Sequence, residues 1–240
     1  MTPEEAAVAS QDAVSNLTAR FMLDPALYAY GASIGFPGMQ FYAAGRGGVL
    51  GDVGASAVTN AFVFFNPELI TANWEGLDRV MPRADAAKEF AGAAAKWADA
   101  HMPDDVDCAT LAALAEKVAA AASPADAPLF EGWRKLEAPT EPKAAAVHHM
   151  NSLRELRFAL HANAIRSLGI DPEEALRHRQ PHMVAIFGWE PGEPKTPVAG
   201  EWAKAEAETD ARMAEALAVL SADELDTFVA LANAALAGSA

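Results

Sequence analysis

At 240 residues the chain is long enough to bury a real core, and 52% hydrophobic with 21% charged residues is a globular composition. A net charge of −15, from 18 Lys+Arg against 33 Asp+Glu, repels phosphate backbones and disfavours nucleic acid as a partner. The single cysteine, Cys108, excludes an internal disulfide.

Residues 4–20, EEAAVASQDAVSNLTAR, predict an opening helix whose acidic start suits the helix macrodipole. No signal-peptide pattern or membrane-length apolar run is visible, so the expectation is a cytoplasmic protein without a membrane partner. DPALYAYG (24–31) begins a second short helix, and GFPG (35–38) breaks the chain. Residues 38–47 predict a helix carrying Phe41 and Tyr42. GRGGVLGDVG (45–54) has leucine at position 50, where G-x-G-x-x-G needs glycine, and lacks the Gly-Lys-Ser/Thr of a P-loop. A structural turn is favoured over a phosphate cradle. ASAVTNAFVFFNPELI (55–70) reads as one apolar helix limited by Asn66-Pro67.

Residues 82–102 and 107–122 predict two amphipathic helices, the second holding Cys108 as a small buried residue. SPADAPLFEGWRKLEAPTEPK (123–143), with four prolines, reads as a linker between an N-terminal half (1–122) and a C-terminal half (144–240). A long helix follows and ends at Leu168-Gly169 with Gly169 as C-cap. Asp171 caps the next helix, with Pro172 at its first position. Residues 187–200 are turn-rich, 201–220 are helical, and Ser221 with Glu224 has capping-box spacing for the last helix. The fold class is therefore mainly α, in two helical halves. Apolar helical faces in roughly the last 40 residues point to a homodimer.

The long helix contains HHMNSLRELRFALH (148–161). At about 100° per residue, Arg154, Arg157 and His161 fall within about 40° of Met150. Leucines 153, 156 and 160 flank them on one side, Phe158 and Ile165 on the other. Ser152, Glu155, Asn163, Arg166 and His148 fall opposite, where a solvent face is expected. Cations in the middle of an apolar arc need compensation, because an unpaired buried charge costs several kcal/mol. One answer is protein carboxylates, with Asp52, Glu68, Glu75 and Glu190 as candidates, or side chains that snorkel to the edge of the core. The other is a cavity for an anionic ligand, since the arginine fork suits carboxylate or phosphate.

The histidines give no metal spacing. His148 and His149 face different ways, His149 and His161 are too far apart, and Pro181 separates His178 from His182. A haem, with His161 or His182 as axial ligand and the arginines on its propionates, is chemically permitted but not required. No G-x-S-x-G motif or catalytic cysteine context is present.

Three stretches, 41–70, 148–176 and 205–231, together resemble a SalK-like, helix-turn-helix-type family of actinobacterial proteins. The resemblance rests on Tyr42, Arg46, Leu50, Gly51 and Val53, then Leu153, Arg154, Glu155, Arg157 and His161, and finally Thr209 with Asp210. It implies relatedness to winged-helix domains and that Arg46, Arg154, Arg157 and His161 come together. Residues 177–200 depart from it, being too short for the expected winged-helix segment. The leading expectation is a small-molecule binding protein or enzyme, holding an anionic organic ligand between the two halves. Arg154, Arg157 and Arg46 would hold the anion, His161 would be the acid–base group, and Tyr42, Phe41, Phe158 and Met150 would line the cavity. The alternatives are a haem or tetrapyrrole binder, and a transcription regulator reading DNA with residues 174–182.

Overall fold

Local sequence decides where most helices begin. Thr2 and Glu5 form a reciprocal capping box ahead of α1 (Pro3–Leu23), and Asp24 caps α2 (Pro25–Ser33). Asn66 caps α5 (Pro67–Trp74), Asp107 caps α7 (Cys108–Ala121) and Asp171 caps α10 (Pro172–Arg179). Ser221 and Glu224 close a second capping box on α12 (Ala222–Gly238). The remaining helices are α3 (Gln40–Gly47), α4 (Ala55–Phe62), α6 (Arg83–His101), α8 (Pro128–Trp133), α9 (Pro142–Ser167) and α11 (Ala199–Leu217). The computed structural model describes residues 1–239. It is mainly α, with three short 3-10 turns and no strand among the described residues. None of these helices is long and apolar enough to cross a membrane.

The 26-residue α9 is the axis of the molecule. It packs against α1, α6, α7, α8 and α11, while α12 covers α1 and α7. Being surrounded, α9 has no solvent face along its middle. His148, Ser152 and Glu155, expected opposite the apolar arc and in water, are all buried. The helical wheel assumes one buried stripe, whereas this helix buries its circumference.

Three further expectations change. Residues 55–70 are not one helix. Val63 adopts φ 47, and Asn66-Pro67 begins α5 instead of merely ending α4. Proline is pre-organised for the first helical position, so the same residue that stops one helix starts the next. The segment 123–143 is more than a spacer between halves. It contains α8, whose Leu129, Phe130 and Trp133 enter a core built from both sides of it. Such fully buried side chains contribute about 1.5–3 kcal/mol each, more than a free linker would forgo. The apolar faces assigned to a second copy are largely covered within the chain. Leu225, Phe228, Val229 and Ala232 of α12 are buried.

The glycine-rich turn is structural in its contacts. A Cβ on Gly48 would lie 2.2 Å from the carbonyl oxygen of Arg83, and Gly51 has φ 76. The chain crosses α6 at a distance that only glycine permits.

Candidate functional site

Arg46 joins α3 to α9 through the centre of the protein. Its Nε and Nη2 each donate to Glu155 at 2.8 Å, and Nη1 donates to the Tyr42 hydroxyl at 3.2 Å. The rings of Phe62 and Phe158 lie 4.6 Å from the guanidinium carbon. Burial pulls the Arg46 guanidinium down, but Glu155 and Tyr42 outweigh it and hold it above its ordinary value. Burial pushes the Glu155 carboxyl up, yet Arg46 and Arg154 outweigh it and hold it below the ordinary range. Both partners are therefore charged. Arg154 completes the cluster, with Nη1 donating to Glu155 at 2.8 Å.

One turn further, Arg157 Nη2 donates to Glu206 at 2.9 Å and to Asp210 at 3.1 Å, both on α11. Glu206 Oε2 also accepts from Gln11 Nε2 at 2.9 Å, so α1, α9 and α11 meet at one carboxylate. Burial pushes Asp210 up, against the pull of Arg157 and with help from Glu206.

His161 Nδ1 lies 3.1 Å from Thr209 Oγ1, whose own hydroxyl donates to the Ala205 carbonyl at 2.7 Å. That network assigns the proton to Nδ1, which donates to Thr209. Nε2 has neither a hydrogen-bond partner nor solvent contact, and the imidazole and Trp202 ring centroids lie 4.6 Å apart. Burial lowers the His161 pKa, Glu206 works against this, and Arg157 and Arg179 add to it. The imidazole is neutral at pH 7.

Arg157, Glu206, Gln11 and His161 border a cavity of about 420 Å³, bounded by α1, α9, α10, α11 and the Phe64–Phe65 corner. The volume is that of small-molecule sites. Arg154, Arg157, Phe158, His161 and Tyr42 line it, as the resemblance and the helical spacing anticipate for them. Arg46 does not; it pairs with Glu155 in the core, and Phe158 and Phe64 link it towards His161. Met150 and Phe41 do not line it either, because both are fully buried in the main core. The compensating carboxylates are Glu155, Glu206 and Asp210 rather than the expected Asp52, Glu68, Glu75 and Glu190. Asp52 instead meets Arg83 at the surface.

Sequence reasoning missed Gln11, Arg179, Phe64 and Trp202, which also line the cavity. None of the four carries a local signal, and each arrives from a different element. Of the expected axial histidines, His182 is exposed at the cavity, whereas neither nitrogen of His161 is presented to a haem iron. In α10, the expected DNA-reading element, Arg177 is turned inward. It pairs with Glu173 and donates to the carbonyls of Glu190 and Gly192. Only His178 and Arg179 remain exposed among its cations.

The architecture is thus a helical bundle whose central helix presents arginines to an aromatic cavity. The chain belongs to a helix-turn-helix family, whose model matches residues 7–193. No curated protein and no solved structure matches it.

Proposed function

We propose that the protein binds an anionic small molecule with an aromatic or apolar body in this cavity. The observation that carries the reading is the composition of the cavity lining. Tyr42, Phe64, Phe158 and Trp202 line it together with Arg154 and Arg157, and Arg179, exposed at the cavity, has no ion pair among the described residues. Apolar cavities with a few convergent polar groups are the usual form of a small-molecule site. The reading is one of binding. Nδ1 of His161 is engaged by Thr209 and Nε2 is covered, so no acid–base step is assigned to it. The finer SalK-like resemblance supports the same site, since its arginine and histidine positions, Arg46 apart, line this cavity.

The test is thermal unfolding with 2-naphthoate, indole-3-acetate and biphenyl-4-carboxylate. A ligand at 100 times its Kd stabilises by about 2.7 kcal/mol, which raises Tm measurably. Arg154→Ala is expected to fold and to lose that rise. No rise with any of the three acids sinks the proposal. A Tm drop in Arg154→Ala with the ligand effect intact makes Arg154 structural.

Nucleic-acid binding is the second reading, supported by the helix-turn-helix family and by the α9–Gly169–α10 corner, where Gly169 has φ 69. The inward Arg177 and the charge of −15 weigh against it. A gel shift on duplex DNA at low salt decides: no retardation removes it.

A further inference from the structure

Two arginines of this protein meet carboxylates in different ways. Arg46 uses the fork that guanidinium and carboxylate prefer, Nε to one oxygen of Glu155 and Nη2 to the other. Arg157 has the same two nitrogens but not the same pairing. Its Nη2 carries both Glu206 and Asp210, while its Nε is buried without a partner. Crowding two carboxylates onto one nitrogen sets like charges side by side. An unpartnered buried donor is costly as well. Eight buried side-chain atoms lack hydrogen-bond partners among the described residues, and three of them, Arg154 Nε, Arg157 Nε and His161 Nε2, belong to residues that line this one cavity. That concentration marks an arrangement completed by something else.

Resting on the cavity reading above, we infer that the ligand's acidic group is a carboxylate seated on the Nε/Nη2 edge of Arg157, a seat whose Nη2 half is taken by Glu206 in this structure. Glu206 lines the cavity, is only partly buried, and has the chemistry of the group it stands in for. Arg157 Nε has no solvent contact in the present arrangement, so an incoming carboxylate completes the fork only as Glu206 yields Nη2. Asp210 stays on Nη2 as the second acceptor. Because Glu206 also holds Gln11, its release removes one bond between α1 and α11 at the cavity's edge.

The experiment is calorimetric titration of the full chain with 2-naphthoate, with neutral 2-naphthamide as control. Removing the competing charge by Glu206→Gln is expected to tighten 2-naphthoate about tenfold or more, leaving 2-naphthamide unchanged. Gln11→Ala, which removes one anchor of Glu206, is a second variant that keeps the test alive if Glu206→Gln misfolds, and it is expected to tighten binding in the same direction. Arg157→Lys keeps the charge without the fork and is expected to lose about tenfold or more. If the wild type binds 2-naphthoate but Glu206→Gln, or Gln11→Ala in its place, binds equally or more weakly, the competition is overturned and the cavity reading survives. If neither the wild type nor the variants bind, both fall.

Discussion

Arg46 and Glu155, 109 residues apart in the chain, form a two-point ion pair with side-chain exposures of 1% and 0%. Removing one partner strands the other's charge in the core. Arg46→Met is expected to destabilise the protein by about 3–5 kcal/mol in urea unfolding. Arg46→Met with Glu155→Leu should recover most of the loss, because Arg154 at 16% exposure can turn its charge to the cavity. A double variant as unstable as the single one would show that packing, not stranded charge, sets the cost.

Acid should unfold the protein in two stages. Burial, aided by His149, lowers the His148 pKa from 6.5 to about 4. The unfolded chain therefore binds a proton in that window before the folded one does. Stability is full above pH 6.5 and falls by roughly 3 kcal/mol as pH drops through about 4. The Glu155 carboxyl is also held low, so its contribution is full above about pH 4.3 and is lost as pH falls through the folded value. His148→Gln should reduce the slope of the upper stage, to which His149 and His161, also held low by burial, contribute, and leave the lower stage. An unchanged slope between pH 6.5 and 4 would assign that stage to other groups.

How much of this was legible depended on how local each signal is. Thr2, Asp171 and Ser221 cap their own helices, so helix starts follow from a few neighbouring residues. The Arg154–Arg157–His161 stripe is likewise a property of one helix's spacing. The partners were not legible. Glu155 sits beside Arg154 in sequence but reads as solvent-facing until α3 is known to cover it. Glu206 lies 49 residues from Arg157 and nothing in α9 points to it, while the resemblance singles out Asp210 without pairing it with Arg157. The four prolines of 123–143 mask Leu129, Phe130 and Trp133, whose apolarity was the evidence for a buried helix.

The glycine-rich turn yields a graded set of substitutions. Gly48→Ala drives a methyl into the Arg83 backbone at 2.2 Å, and the backbone cannot swing aside, so a loss of about 1–3 kcal/mol or more is expected. Gly51 has φ 76 and ψ −153, a backbone region that is almost glycine-only, so Gly51→Ala is expected to cost about 1–3 kcal/mol. Gly54, with open space around it and φ −72, should accept alanine with little change. Chemical unfolding of the three variants checks the order. Equal losses at all three sites would mean that the turn is not set by close approach.

The segment between α10 and α11 is fastened by two residues of α10. Glu174 accepts the backbone N–H groups of Lys195 at 2.5 Å and Thr196 at 2.8 Å, and Arg177 donates to the carbonyls of Glu190 and Gly192. These bonds tie down backbone groups of residues 190–196, an otherwise exposed stretch with no helix of its own. Glu174→Ala should therefore free residues 190–196 without melting the bundle. Limited proteolysis should cut the variant there at least several-fold faster, and amide exchange at Lys195 and Thr196 should lose protection while α9 keeps its own. The same variant separates the two roles open to α10. A clamp alone leaves Arg179 at the cavity rim and any DNA retardation unchanged, whereas loss of retardation on Glu174→Ala would make this fastening part of a nucleic-acid surface. Unaltered proteolysis would mean that the stacked Phe65–Phe187 pair and the Trp189 bond to the Phe64 carbonyl hold the segment by themselves.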